Sequence, residues 1–457
     1  MKKRRDSRAP SRPFRKKRGK DGATIARPSP AYQQTQTQLV QIEKPVYGGA
    51  FLARVEGKAV FVPLTLPGEQ VRLRIVEEKR GYATAEVEQT VVPAAERIAP
   101  KCRHFGACGG CQYQHTNYAT QLAFKRAILR ETLQRGGVSA PEEITVLTGE
   151  PWAYRNRIRV AFDAEGYPGY RERRSNAPVQ IVECPIAAPL LVKAATTAGE
   201  MVRKLPANLR PREVSLFCDA AETALLASFV ASGSAARWFE EFAQGFGERV
   251  SETKGIEFAV DEGRGRAPQT VAQWGANSLL YRAAGVDYRV DQSAFFQVNR
   301  WLLDALVESV TGGRRGQVAW DLFAGVGLFA RQLAAGFTNV IAVEIAAAAM
   351  AALKQNLAGT SSTVVKAATV DFLRDARKGD RPDLIVVDPP RSGLGAETTA
   401  LFAQIAAPEL VYVSCDPATL ARDLRAMMGE GYSIEDVALV DLFPQTFHLE
   451  TVVRLRR

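Results

Sequence analysis

The sequence has no apolar run long enough to cross a bilayer, and no apolar segment follows the positive charges at its N-terminus. A membrane protein and a signal peptide are therefore excluded as expectations, and the expected location is the cytoplasm. Cysteine is scarce, with six in 457 residues, so the placing of each one calls for a reason. Most of the chain also lacks an excess of either charge. The formal net charge is +11, yet twelve of the 60 basic and two of the 49 acidic residues fall in residues 1 to 40, which leaves 48 against 47 in the remainder. A composition of 46% hydrophobic and 24% charged residues fits a folded chain rather than a disordered one. The length fits about three domains.

The basic excess is concentrated in "MKKRRDSRAPSRPFRKKRGK". With Pro, Ser, repelling charges and almost nothing to bury, residues 1–37 are expected to form a disordered basic tail. Such a tail can hold RNA phosphates by counterion release, or merely keep the chain soluble. It has no amphipathic period of the kind an Arg-rich transit peptide would show.

Residues 38–98 read as short alternating strands broken at Gly48-Gly49, Gly57-Lys58, Pro67-Gly68 and Arg80-Gly81, which predicts a five-stranded OB-like barrel. Barrels of this size often bind single-stranded nucleic acid. Residues 99–290 mix strands with a helix at roughly 117 to 136 and read as an α+β domain. Within it Arg155, Arg157, Arg159, Arg171, Arg173 and Arg174 interleave with Tyr154, Phe162, Tyr167 and Tyr170. That mixture suits RNA bases and phosphates, and equally a solvated hairpin face.

The third domain, 291–457, changes at about 317 to strand, turn, helix, repeated. Near-continuous apolar strands such as "DLIVVD" and "ELVYVS" predict an α/β fold with a parallel, doubly wound sheet covered on both faces. Its last two strands have no helix between them and read as a hairpin at an edge. "DLFAGVGLFARQLA" puts Asp321, Gly325 and Gly327 between the first strand and its helix, where the backbone can approach a ligand closely. Glu344 ends the second strand, 19 residues after Gly325, where a carboxylate can bind both hydroxyls of a ribose. Ala330 breaks the dinucleotide fingerprint G-x-G-x-x-G, which leaves a nicotinamide enzyme as the lesser reading. The run D-x-F-x-G-x-G resembles instead the S-adenosylmethionine loop of class I, Rossmann-like methyltransferases, an arrangement that implies Asp371 near the adenine. Asp388-Pro389-Pro390 is followed by Arg391, where enzymes that methylate base amines carry a ring. The methyl acceptor is therefore expected to be something other than an amine.

Cys415 stands at the end of a strand, one residue before Asp416-Pro417, which reads as a helix N-cap and first turn. A helix start favours thiolate, and the neighbouring Asp416 opposes it. Carbon 5 of uracil accepts a methyl group only once a thiolate has added at carbon 6, and a base must afterwards remove the proton from carbon 5. Glu450 and His448, in "FPQTFHLETVVRL", are both candidates for that base. A small buried hydrophobe is the blander reading of Cys415.

"VDPPRSGL", "VYVSCDPATLARDL", "FPQTFHLETVVRL" and "SAFFQVN" together resemble the motifs of the RNA uracil-C5 methyltransferase family. The resemblance implies Cys415 as nucleophile and Glu450 as general base. It also implies cofactor contacts from Gln297, Phe323, Glu344 and Asp388, joining Gly325 and Gly327 of the loop. Leu328 departs from the pattern, since some members carry a polar residue there.

Cys102, Cys108 and Cys111 form a C-x5-C-x2-C run, and Cys184 can complete four soft ligands. By spacing alone this suits a structural zinc or an iron–sulfur cluster, with His104 and His115 as possible zinc ligands and a disulfide pair as the weaker option. "FGACGGCQYQHTNYATQLAFKRAIL" resembles the [4Fe-4S] segment of the 23S ribosomal RNA branch of the family, a branch that also carries an N-terminal TRAM barrel. Four cysteine ligands leave no iron open, which disfavours radical chemistry. Cys218 has no partner by spacing and reads as core. The expected partner is RNA, with 23S ribosomal RNA before transfer RNA; DNA and membrane are not expected, and the chain is expected to act as a monomer. The rival reading from another class is a non-catalytic RNA assembly factor.

Overall fold

Inward-pointing Val40, Ile42, Phe51, Ala53, Val60, Val62, Val71 and Leu73, set two apart along their strands, give the first segment an apolar interior to roll around. In the computed structural model the strands β1 (Gln38–Pro45), β2 (Ala50–Val55), β3 (Lys58–Pro63), β4 (Gln70–Glu78) and β5 (Tyr82–Val92) close into a barrel in the order β1-β2-β3-β5-β4. The structure describes residues 37–231, 238–261, 263, 268–376 and 381–457, so the expected basic tail, but for Thr37, lies outside it. One end of the barrel is plugged by Tyr113 and Phe124, whose rings pack edge-on at 6.0 and 5.5 Å from Phe51. Phe124 lies on α1 (Tyr118–Arg135), a helix capped by the Asn117 side chain, which accepts from Thr120 N at 2.9 Å. One turn further along α1, Ile128, Leu129 and Leu133 are buried in the core of the C-terminal sheet. The helix thus pins the barrel to that sheet. A short strand, β6 (Thr145–Leu147), follows it.

The central domain is a seven-stranded sheet in the order β13-β12-β11-β10-β7-β8-β9. Its strands are β7 (Arg157–Phe162), β8 (Pro168–Arg171), β9 (Pro178–Gln180), β10 (Glu213–Cys218), β11 (Leu225–Ala231), β12 (Thr253–Val260) and β13 (Gln269–Gly275). The helices α2 (Pro189–Lys204) and α3 (Phe239–Arg249) cover it, and Cys218 is fully buried in their shared core. The hairpin β14 (Ser278–Ala283) and β15 (Val286–Asp291) leads into the last domain.

There α4 (Leu303–Thr311), β16 (Gly316–Leu322), α5 (Leu328–Leu333), β17 (Phe337–Glu344), α6 (Ala347–Asn356), β18 (Ser362–Lys366) and α7 (Thr369–Ala376) build one half of the sheet. The other half is β19 (Leu384–Val387), α8 (Gly395–Ile405), β20 (Glu409–Ser414), α9 (Pro417–Gly429), β21 (Ser433–Val440) and β22 (Glu450–Arg456). The sheet runs β18-β17-β16-β19-β20-β22-β21-β6. Both faces are dry: Leu384 and Val386 point into one core, Ile385 and Val387 into the other. The expected hairpin β21–β22 forms, but it is not at the edge, because β6 pairs in parallel with β21 through Thr145, Val146 and Leu147. Three residues carry too little pattern to announce a strand, and their partner lies far along the chain.

The strand order reverses between β16 and β19, which opens a crevice at their C-terminal ends. β20 ends beside it, and the antiparallel β22 begins there. Among the described residues no helix is long and apolar enough to cross a membrane.

Candidate active site

That crevice is a cavity of about 640 Å³ lined by Gln297, Phe323, Gly325, Glu344, Asp388, Cys415 and Glu450, together with Arg391 and His448. These residues arrive from five segments of the chain: the one before α4, the β16–α5 loop, the end of β17, the loop after β19, and the meeting of β20 and β22. Phe323 leaves β16 at a φ of 70°, a strained conformation for a residue with a Cβ, and is held there because Phe323 N and Ala324 N both donate to Val343 O, at 3.1 and 3.0 Å. Asp321 is buried beneath the loop and accepts from Ala330 N at 2.8 Å, which secures the start of α5. Glu344 accepts from Gly325 N at 2.8 Å with one oxygen and from Ile345 N and Ala346 N, at 2.7 and 2.6 Å, with the other, so its carboxylate faces the glycine loop.

Two expected cofactor residues lie outside the lining. Gly327 has a φ of 90°, and a Cβ there would come within 2.9 Å of Leu353, so this glycine serves the turn and its packing on α6. Asp371 projects from the first turn of α7 with its side chain 61% exposed and paired to Arg374 at 2.8 Å. Sequence reasoning did not single out Phe295, which is 70% exposed at the cavity mouth. Nor did it single out Tyr47, a barrel residue that reaches the loop of Cys415 and Asp416. Phe295 carries no local signal beyond the motif around it, and Tyr47 only a ring before the Gly48-Gly49 turn.

The site is electrostatically tense. Glu450 is 4% exposed, and burial pushes its carboxyl well above the ordinary range; the charge of Asp388 pushes the same way and Arg391 opposes it. Asp388, which accepts from Gln297 Nε2 at 3.3 Å, is pushed up to about 7 by burial. Cys415 is pushed up to about 11, first by burial and then by Glu450 and Asp388, again with Arg391 opposing. The thiolate expected from the helix start is therefore not favoured in the free cavity. The N–H groups that would favour it are taken, because Asp416 accepts from Ala418 N and Thr419 N, both at 3.0 Å. Burial, then Arg391, lowers His448 to about 4, and its Nδ1 accepts from Arg391 Nη2 at 3.1 Å.

Cys102, Cys108, Cys111 and Cys184 line a second cavity of about 270 Å³, with His104, Arg155 and Tyr170. Gly109 lets this loop lie against β8: its N donates to Arg171 O at 3.0 Å, and a Cβ would sit 3.2 Å from that same oxygen. Among the described residues no three Cys, His, Asp or Glu groups converge on a single ion-sized point. His115 faces the barrel instead, with Nε2 at 2.9 Å from Thr65 O. The Arg-rich stretch is divided. Arg157 stacks on Phe217 at 4.2 Å and donates to Ala294 O, while Arg159 is 70% exposed, so only part of the stretch can meet RNA.

The fold of the chain matches the crystal structure of the Pyrococcus abyssi tRNA (uracil-54, C5)-methyltransferase, solved with S-adenosyl-L-homocysteine, at a TM-score of 0.73 and 24% identity, over 92% of this chain and all of that one. With the cavity at the switch point, this defines a class I methyltransferase fold joined to a barrel. The family model described as tRNA (Uracil-5-)-methyltransferase matches residues 276–457, and the TRAM domain model matches residues 33–87. A 23S rRNA (uracil(1939)-C(5))-methyltransferase of Halomonas elongata is 33% identical over 91% of this chain and 88% of its own length. One of the same name from Klebsiella pneumoniae is 32% identical over 90% and 93%. An uncharacterized RNA methyltransferase of Thermotoga maritima is 30% identical over 92% and 98%. The chain belongs to the RNA uracil-C5 methyltransferase family.

The raised Glu450 has a consequence for stability. A carboxyl whose folded pKa exceeds its unfolded value, about 4.3, binds its proton more tightly when folded, so its contribution is full below that value and is lost as pH rises. Glu450→Gln removes this loss. The variant's Tm should exceed the wild type's by more at pH 8 than at pH 5, as read by thermal denaturation. A difference independent of pH would contradict the assignment.

Proposed function

We propose that this protein methylates carbon 5 of a uridine in 23S ribosomal RNA, with S-adenosylmethionine as donor, Cys415 as nucleophile and Glu450 as base. The observation that carries the reading is that Cys415 and Glu450 open on one cavity with the glycine loop and Glu344. S-adenosylmethionine, when bound, supplies the methyl group as an electrophile, and Gln297, Phe323, Gly325, Glu344 and Asp388 would hold it. Cys415 gives up its thiol proton to solvent as its sulfur adds to carbon 6 of the uracil, and the displaced carbon 5–carbon 6 electron pair makes carbon 5 nucleophilic. Once carbon 5 carries both a methyl group and a hydrogen, Glu450 accepts that proton. The C–H pair then restores the ring double bond, and the carbon–sulfur bond breaks to release the thiolate. Glu450 suits this role better than His448, because His448 is lowered and already accepts from Arg391, while the Arg391 charge favours the carboxylate form in which Glu450 can take a proton. A transfer RNA substrate is the second reading, favoured by the likeness to the archaeal enzyme's fold.

Glu450→Gln, incubated with RNA and cofactor, is expected to trap a protein–RNA adduct that survives denaturing electrophoresis, whereas His448→Gln releases product. The reverse pattern would move the base to His448.

For the second cavity we propose a [4Fe-4S] cluster on Cys102, Cys108, Cys111 and Cys184. A single zinc would draw four sulfurs to about 3.8 Å from one another, given Zn–S bonds of about 2.3 Å. The four thiols line a cavity of about 270 Å³, and Arg155 Nε is buried beside it without a hydrogen-bond partner, ready to meet an anionic body. Its role would be structural: Gln112 N and Tyr113 N, next to Cys111, donate to Gln445 O in the loop before the base, at 2.9 and 3.0 Å. Protein purified without oxygen should carry about four irons, lost in Cys184→Ser. A colourless protein with stoichiometric zinc would refute the cluster.

A further inference from the structure

One turn of the barrel reaches the loop that carries Cys415. Between β1 and β2, Tyr47 brings its hydroxyl to 3.3 Å from Asp416 Oδ2 and 3.5 Å from Cys415 O. We propose that Tyr47 is a positioning residue for Cys415, acting from the RNA-binding barrel through Asp416; this rests on the reading of Cys415 as the nucleophile.

Asp416 is held at both ends. Its Oδ1 caps α9 while its Oδ2 accepts from the barrel, so the backbone carrying the thiol is fixed between two anchored points. Ser414 Oγ adds a third restraint, donating to Asp416 O at 3.1 Å and accepting from Asp416 N at 3.3 Å. Burial, then the charge of Asp416, raises the pKa of Tyr47 above its ordinary value, which keeps the hydroxyl a protonated donor. The ring is seated as firmly as the hydroxyl. It packs edge-on against Phe447 at 5.7 Å, and Phe447 in turn lies 4.3 Å from the ring of His448. The turn itself closes through Val46 N donating to Ala50 O at 3.0 Å. Gly49, at φ +85°, fits so closely that a Cβ would lie 2.8 Å from Gln112 Cγ and 3.0 Å from Phe447 Cδ1. A single barrel turn therefore braces both the nucleophile's loop and the loop that leads to the base. Misplacing a reacting group by a fraction of its bond-forming distance slows the chemical step more than it weakens binding.

Tyr47→Phe keeps the ring contact and removes only the hydroxyl. It should lower kcat about tenfold, the scale of one lost hydrogen bond to a charged group. KM for RNA should stay within about twofold, because the substrate surface is unchanged. In an Asp416→Asn background, adding Tyr47→Phe should cost little more, since both changes break the same link. An unchanged kcat, a raised KM with kcat intact, or fully additive losses would each overturn the proposal; the second would make Tyr47 an RNA contact instead. Cys415→Ala is measured alongside. Full activity in that variant would overturn the nucleophile and this proposal together, whereas an inactive Cys415→Ala beside a wild-type Tyr47→Phe would overturn this proposal alone.

Discussion

The buried ion pair of Lys125 with Asp441 sets the geometry on which the catalytic cavity depends. Both side chains are almost wholly out of water, 0% and 1% exposed, with Nζ at 2.5 Å from Oδ1, and Lys125 also donates to Phe443 O at 2.8 Å. Desolvating two charges is expensive, and a pair this deep is tolerated only where its contacts are well made. It ties α1 to the segment between β21 and β22, which has no strand or helix of its own and yet leads into His448 and Glu450. Gln121 donates to Gln445 Oε1 at 3.0 Å and accepts from Gln445 N at 3.0 Å, and Tyr154 Oη donates to Pro444 O at 3.1 Å. The segment is thus held from outside the C-terminal sheet, by residues belonging to the barrel plug and the central domain. This gives the accessory regions a physical reason to be fused to a methyltransferase fold beyond any contact they make with RNA.

The cavity they hold in shape crowds acids beside a thiol. Asp388 raises Glu450, both raise Cys415, and Arg391 opposes the shift for Glu450 and Cys415. The arginine after the two prolines, where amine-methylating enzymes place a ring, is thus a charge facing the thiol and the acid. Burial and neighbouring charge together set the acid–base character of this corner of the cavity.

What could be read in advance was local. A D-x-F-x-G-x-G run between strand and helix, a Cys before Asp-Pro, and strands apolar on both faces each depend on neighbours within a few residues, and the loop, the helix cap and the doubly wound sheet follow from them. What could not be read depended on register between distant segments. β6 is three residues long and becomes a strand only because β21 lies beside it. Asp371 follows β18 as the family pattern requires, yet it points to solvent and pairs with Arg374. Arg157 looked free to meet phosphate until the fold laid it across Phe217. The helix start at Cys415 could be read, but not the burial and the charges of Glu450 and Asp388 that push its thiol up, since those two acids come from other strands.

The central claim is that Cys415 makes this chain a uridine C5-methylating enzyme for 23S ribosomal RNA. It is tested most directly by mapping 5-methyluridine by mass spectrometry in ribosomal and transfer RNA from cells lacking the protein, then complemented with wild type or with Cys415→Ala. The account predicts one 23S position that loses the modification, regains it with wild type and stays bare with Cys415→Ala. A modification restored by Cys415→Ala, or a loss confined to transfer RNA, would contradict it.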